Sequence, residues 1–206
     1  MIETQLLNSY ESSSSLRDAF SKIMEAAPLN SKKHLNILKS SWLDTQLGPM
    51  LAIADDEKLY LLEFIERRGL EREIQRLKIN TNSAITPREN SIILSIKKEI
   101  DLYFAGKLKE FHTPIFMLGS PFQQQTWHAL MKIPYGKTIS YAMLATNIGK
   151  PSAFRAVANA NGANQLAILI PCHRVINSNG KLSGYGGGIA HKQWMIDLEE
   201  KALKPI

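Results

Sequence analysis

Cysteine occurs once in this 206-residue chain, as Cys172, in the run Pro171, Cys172, His173, Arg174. A thiol is a nucleophile only as the thiolate, and neighbouring cations lower its pKa from a free value of about 8.5. His173, from a residue type with an unperturbed pKa near 6.5, is suited to accept the proton. Adjacent residues of an extended segment point to opposite sides, so the spacing does not guarantee direct contact between Cys172 and His173, and a bridging water is the alternative. A carboxylate is also wanted to hold the imidazole, and Glu199 or Glu200 could supply it. The same run fits an inert buried thiol beside a surface histidine equally well. A single cysteine excludes an intramolecular disulfide, a thiolate metal cluster and a Cys-x-x-Cys redox pair.

The elements that must position these residues fall into three stretches. Residues 1–39 read as a mixed leader with one helical pattern through Leu16, Phe20, Ile23 and Met24. Residues 40–116 read as a small α/β unit: a strand over 42–53 interrupted at Gly48 and Pro49, a second strand over 59–65 completing a hairpin, and a short helix through Leu70, Ile74 and Leu77. Residues 80–88 read as a polar connection, and Pro87 as the opening of a longer helix. Nothing in this unit looks catalytic.

Residues 117–206 carry more punctuation. Ser120 and Pro121 are an N-cap and first-turn proline. Ser140 caps a helix from Tyr141 to Ile148, and Ser152 caps another over 153–161. Two capped helices across a glycine turn make a helix-turn-helix pattern. Arg155 and Ala156 open its second helix, where an arginine can reach phosphate or a groove and small residues permit close approach. Residues 166–170 read as an apolar strand leading into Cys172. Residues 184–188 form a glycine-rich loop, and a final helix covers about 190–201.

Charge separates the same halves. Residues 1–116 hold 16 basic and 16 acidic side chains, whereas 117–206 hold 9 and 3, so the whole net charge of +6 lies in the C-terminal part. A local basic excess is the electrostatic footprint of a nucleic-acid partner. No apolar run approaches the roughly 20 residues of a membrane span. With no signal-peptide pattern at the N-terminus, the expectation is a cytoplasmic protein that does not enter membranes.

Taken together, Ile170, Pro171, Cys172, His173, Arg174 and Val175, preceded by Ile139, Ser140, Tyr141 and by Arg155, Ala156, Val157, and followed by Gly184, Tyr185 and Glu199, resemble the O6-alkylguanine-DNA alkyltransferases. The likeness runs from about Trp42 to the C-terminus. It implies an α/β protein with a small ribonuclease-H-like N-terminal domain, followed by a winged-helix-like alkyltransferase domain that carries the helix-turn-helix.

The resemblance also implies roles. Cys172 is the acceptor of the alkyl group, His173 deprotonates it through water, and Glu199, rather than Glu200, orients His173. Asn164 completes the buried hydrogen-bond network. Arg155 fills the space left by the flipped guanine, with Ala156 close to the DNA, and Tyr141 helps turn the nucleotide out. The backbones of Cys172, Val175 and Gly186 read the guanine edge, and Tyr185 and Gly187 belong to the same pocket. The implied partner is double-stranded DNA carrying O6-alkylguanine, and also O4-alkylthymine, bound in the minor groove by a monomer. No cofactor and no metal are implied. Inside the stack a base cannot be reached by a buried thiol, so it must be extruded. The thioether product does not hydrolyse, which implies one turnover.

Ser9, Tyr10, Glu11, Ser12, Leu16, Arg17, Ala19 and Phe20 resemble the end of an AraC-type DNA-binding domain, as fused to alkyltransferases in Ada proteins. The competing readings are a thiol hydrolase built on Cys172 and His173, a lesion sensor and an Ada-type activator.

Overall fold

The computed structural model describes residues 35–203. The helical pattern expected in the leader and the AraC-like residues lie outside them.

Gly48, in a left-handed conformation, and Pro49 break the apolar stretch, as the sequence suggests, but they divide it into two full strands. These are β1 (Asn36–Leu43) and β2 (Met50–Ala54). β1 thus begins inside the segment expected to be leader. β3 (Leu59–Phe64) pairs antiparallel with β2, and β2 antiparallel with β1. Helix α1 (Leu70–Thr81) follows. The expected polar connection is instead a fourth strand, β4 (Ser83–Pro87), parallel to β1, giving the order β3-β2-β1-β4. Pro87 ends β4 and does not open a helix. The next helix, α2 (Ser91–Phe104), is capped by Asn90, whose side chain accepts from the Ile93 N–H at 3.0 Å.

β2 is buried at every position and β3 at all but one, because the sheet is covered on both faces. Leu51, Ile53 and Leu61 pack with Ile74 and Leu77 of α1. Met50, Ala52, Leu62 and Phe64 face α2 and belong to a core that continues through Trp127, Leu130, Cys172 and Met195. One hydrophobic core therefore spans both halves of the described chain.

In the C-terminal half, Ser120 and Gln123 form a reciprocal capping box that starts α3 (Pro121–Met131). β5 (Ile139–Ser140) pairs with β6 (Val175–Ile176) in a two-stranded parallel ladder. Ser140 caps α4 (Tyr141–Asn147), accepting from the Met143 N–H at 3.1 Å. After Gly149 a 3₁₀ turn, Pro151–Ala153, intervenes before α5 (Phe154–Gly162). Ser152 therefore sits inside that turn, and the helix starts at Phe154 with no side-chain cap. Trp127 fixes α5 to α3 by donating to the Ala160 carbonyl at 2.9 Å. The chain closes with α6 (Ile189–Lys201).

The apolar residues 166–170 are buried but form no strand. Their one ladder contact is with the free edge of β3, where the Leu62 N–H donates to Gln165 and the Ala167 N–H to Leu62. Ile168 has φ of 73°, a strained conformation for a β-branched residue that ends the pairing. The pattern of apolar types was right about burial and wrong about geometry, which periodicity alone does not fix.

Candidate active site and DNA-facing surface

Cys172 opens a 3₁₀ turn, Cys172–Arg174, and not the extended segment expected. Its side chain is buried at the end of the turn that follows Ile168. Asn164 reaches over that turn: its side-chain N–H groups donate to the Ile170 carbonyl at 2.9 Å and to Cys172 Sγ at 3.2 Å. Burial pushes the thiol up to about 11. The Asn164 hydrogen bond and the charges of Arg67 and Lys192 act the other way, and Glu63 adds to the rise.

His173 lies fully buried beside it. Nε2 is 2.9 Å from Glu199 Oε1. An ionised carboxylate only accepts, so Nε2 carries the hydrogen and Nδ1 presents its lone pair. That Nδ1 is buried with no protein partner. Burial lowers the pKa of His173, against the pull of Glu199, so the ring is neutral at pH 7. Glu200, by contrast, is exposed.

Glu199 is held from every side. Arg174 forks onto it with Nε to Oε2 at 2.9 Å and Nη2 to Oε1 at 3.0 Å. The Tyr103 hydroxyl donates to Oε1 and the Gly136 N–H to Oε2, each at 2.9 Å. Gly136 has φ of 70°, and a Cβ there would lie 3.1 Å from the Glu199 carbonyl, so this donor favours glycine. Burial alone would raise the Glu199 carboxyl, but His173 and Arg174 outweigh it and bring it down to about 2.

Lys192 of α6 is also fully buried, with Nζ donating to the carbonyls of Val175 at 2.6 Å and Ser183 at 2.9 Å. Burial lowers its ammonium to about 8, opposed by Cys172. Its charge in turn favours the thiolate.

Two openings lie at the site, and the inner one is lined by the thiol. An outer cleft of about 730 Å³ is lined by Tyr141, Phe154, Arg155, Asn159, Tyr185 and Gly186, among others. An inner cavity of about 10 Å³ includes Cys172, Asn164, Glu63, Arg67 and Gly187, and shares Tyr185 and Gly186 with the outer one. Phe154, Arg155 and Ala156 are exposed at the start of α5, with the Arg155 guanidinium 5.8 Å from the Phe154 ring.

Two family models cover most of the chain. Residues 38–116 match the ribonuclease-like domain of 6-O-methylguanine DNA methyltransferase, and residues 121–201 match the DNA-binding domain of the same family. A methylated-DNA–protein-cysteine methyltransferase of Methanosarcina barkeri is 36% identical over 162 residues, 79% of this chain and 97% of that one. The chain belongs to the O6-methylguanine-DNA methyltransferase family. A second family member, from Methanosarcina acetivorans, is 38% identical over 76% of this chain and 94% of its own. Among solved structures, the Mycobacterium tuberculosis enzyme crystallised with DNA superposes with a TM-score of 0.69 at 37% identity, over 80% of this chain and 94% of that one.

Against that family frame, the structure brings Cys172, His173, Asn164 and Glu199 into one connected cluster. Tyr141, Arg155, Tyr185, Gly186 and Gly187 surround its mouth, and Ala156 lies exposed beside Arg155. Val175 is buried, and its carbonyl already accepts from Lys192, as the Cys172 carbonyl accepts from the Val175 N–H. The Cys172 carbonyl also accepts from the Asn161 side chain at 3.4 Å, so of these two carbonyls it is that of Val175 that keeps a lone pair for a base.

Sequence reasoning missed four participants: Lys192, Tyr103, Glu63 and Arg67. The last three come from the half that looked free of catalytic groups. Lys192 carried one usable signal, since it lies seven residues before Glu199 and so on the same side of α6.

Among the described residues no group of His, Cys, Asp and Glu is arranged to hold a metal, and no helix is long and apolar enough to cross a membrane.

Proposed function

We propose that this protein repairs DNA by direct reversal, moving the alkyl group from O6 of guanine to Cys172 Sγ. The observation that carries the reading is the buried pair of Cys172, held by Asn164, and neutral His173, whose Nδ1 lone pair has no protein partner. A water between Sγ and Nδ1 passes the thiol proton to His173, and Glu199 stabilises the imidazolium that forms. The thiolate attacks the alkyl carbon. The carbon–O6 bond breaks, its electron pair stays on guanine, and guanine takes up the proton released from His173. The product thioether is not hydrolysed, so each molecule acts once.

A thiol with a pKa near 11 is about one part in ten thousand ionised at pH 7. Proton removal coupled to attack is therefore what His173 supplies. The flipped nucleotide occupies the outer cleft, Tyr141 guides it, and exposed Arg155 replaces it in the stack. A DNA substrate and a thiol that must stay reduced support a reducing compartment such as the cytoplasm as its site of action.

Intact mass spectrometry after mixing with a duplex containing O6-methylguanine tests the reading. One added methyl per protein, on the peptide holding Cys172, is expected. Cys172→Ser should bind the duplex and gain nothing, and a methylated Cys172→Ser protein would overturn the assignment. Arg155→Ala should slow repair of duplex DNA by about 10²-fold while leaving single-stranded substrate within a few-fold, because extrusion from a stack costs a few kcal/mol. Equal losses on both substrates would remove Arg155 from the flipping step.

A further inference from the structure

The N-terminal half is expected to be a scaffold, yet it sends an arginine to the wall of the thiol cavity. Arg67 follows β3 and is buried. Its guanidinium donates to Glu63 and, at 2.7 Å, to Glu73. The remaining donors cross to the other half. They reach the main-chain carbonyls of Asn164 at 2.5 Å and Gly162 at 2.9 Å. Asn164 is the residue whose amide holds Cys172 Sγ, and Gly162 ends α5, the helix that presents Arg155. A Cβ on Gly186 would lie 3.2 Å from Arg67, so the pocket loop rests directly on this side chain. One planar fork thus touches the thiol's clamp, the end of the helix facing DNA and the floor of the loop.

We propose that Arg67 is a positioning residue for alkyl transfer, fixing Asn164 against Cys172 and lending its charge to the thiolate, with Glu63 and Glu73 as its anchors. The proposal rests on the alkyl-transfer reading of Cys172 and deepens it. Two functions are separable because lysine keeps the charge and loses the fork. The forked reach to two carbonyls sets the geometry of the Asn164 turn. The charge opposes the burial that holds the thiol protonated, and Glu63, partly offsetting that charge, keeps the cluster from being a bare cation in the core. Through Gly162, the same contact couples the DNA-facing helix to the thiol.

Cys172 is the only cysteine and is buried, so the pH dependence of its labelling rate with iodoacetamide, and not the rate at one pH, reports its ionisation. Arg67→Met should move that pH profile to higher pH than wild type, the direction expected on losing a nearby positive charge. Arg67→Lys should keep close to the wild-type profile yet transfer methyl from a single-stranded O6-methylguanine oligonucleotide at least several-fold more slowly. If Arg67→Met does not fold, Arg67→Lys decides alone: a retained labelling profile with slowed transfer supports the proposal, and wild-type transfer overturns it. A wild-type labelling profile in a folded Arg67→Met would overturn it as well. A wild-type protein that transfers no methyl would instead defeat the functional reading, while the labelling comparison would still read Arg67.

Discussion

Two buried carboxylates flank Cys172, one from each half, and each faces an arginine four or more residues away in sequence. They end in opposite states. Glu199 is drawn down to about 2, whereas Glu63 is pushed up to about 8. Burial raises both. The difference lies in their donors. Glu199 receives five hydrogen bonds, two of them from an arginine fork it does not share with another carboxylate. Glu63 receives Arg67, which also serves Glu73 and two carbonyls, and the charge of Glu73 pushes it further up. Burial close to a cation does not by itself keep a carboxylate ionised; the count and exclusivity of donors decide. In the proposed transfer the ionised one steadies a histidine that gains a proton. The one that protonates readily leaves Arg67 with less of its charge cancelled near the thiol.

The largest effect should come from breaking the well-supplied side. Glu199→Gln strands the buried Arg174 guanidinium and should cost about 3–5 kcal/mol of stability. Its transfer rate should fall by about 10²-fold or more as His173 loses its orienting anion. Chemical denaturation together with single-turnover kinetics measures both, and a fully active variant would remove Glu199 from proton transfer.

A smaller effect tests the other side. The folded pKa of Glu63 lies above the carboxylate's ordinary 4.5, so the folded state binds the proton more tightly than the unfolded state. Stability is then highest below pH 4.5 for this group and falls as pH rises through 8. Glu63→Gln should lose that slope. It should gain about 1 kcal/mol, or roughly 2–4 °C, over wild type at the alkaline end and show little difference near pH 5. Melting curves across that window check it, and parallel slopes would show that Glu63 is ionised in the fold. Glu199 has the opposite sign: its contribution is present above 4.5 and is lost as pH falls through 2.

The smallest effect removes one donor of five. Tyr103→Phe leaves Glu199 with four partners and should cost about 1 kcal/mol, with no displacement of the pH profile of transfer. A displaced profile would mean that donor count matters less than the identity of this hydroxyl.

These two carboxylates also mark how far the sequence could be read. Cys172, His173, Asn164 and Glu199 lie within 36 positions of one another. Read alone they fitted an inert thiol as well as a reactive one; it was the resemblance to the alkyltransferases that pointed to one chemistry, and the capped helices around them were legible from Ser120, Ser140 and Gly149. Tyr103 and Arg67 reach the site from 96 and 97 positions away in their hydrogen-bond partners, with nothing local to betray it. β4 was hidden because five short residues ending in proline look like a connection until a parallel partner is known. Residues 166–170 misled in the opposite direction, since a buried turn and a buried strand demand the same apolar types.

The pairing of β3 with residues beyond it has a further consequence. Leu59 is bonded to Pro114 and Phe116, and Leu62 to Gln165 and Ala167, so this edge of the sheet is closed by the chain that leads to the thiol. The opposite edge, β4, is short, ends in Pro87 and is exposed at its last two residues, a poor template for another strand. Parting the two halves would bare β3 together with the apolar face around Phe64, and molecules so opened would add to one another edge to edge. Protection of this edge is thus a property of the joined halves, and a fragment ending at residue 113 should aggregate more readily than the whole chain.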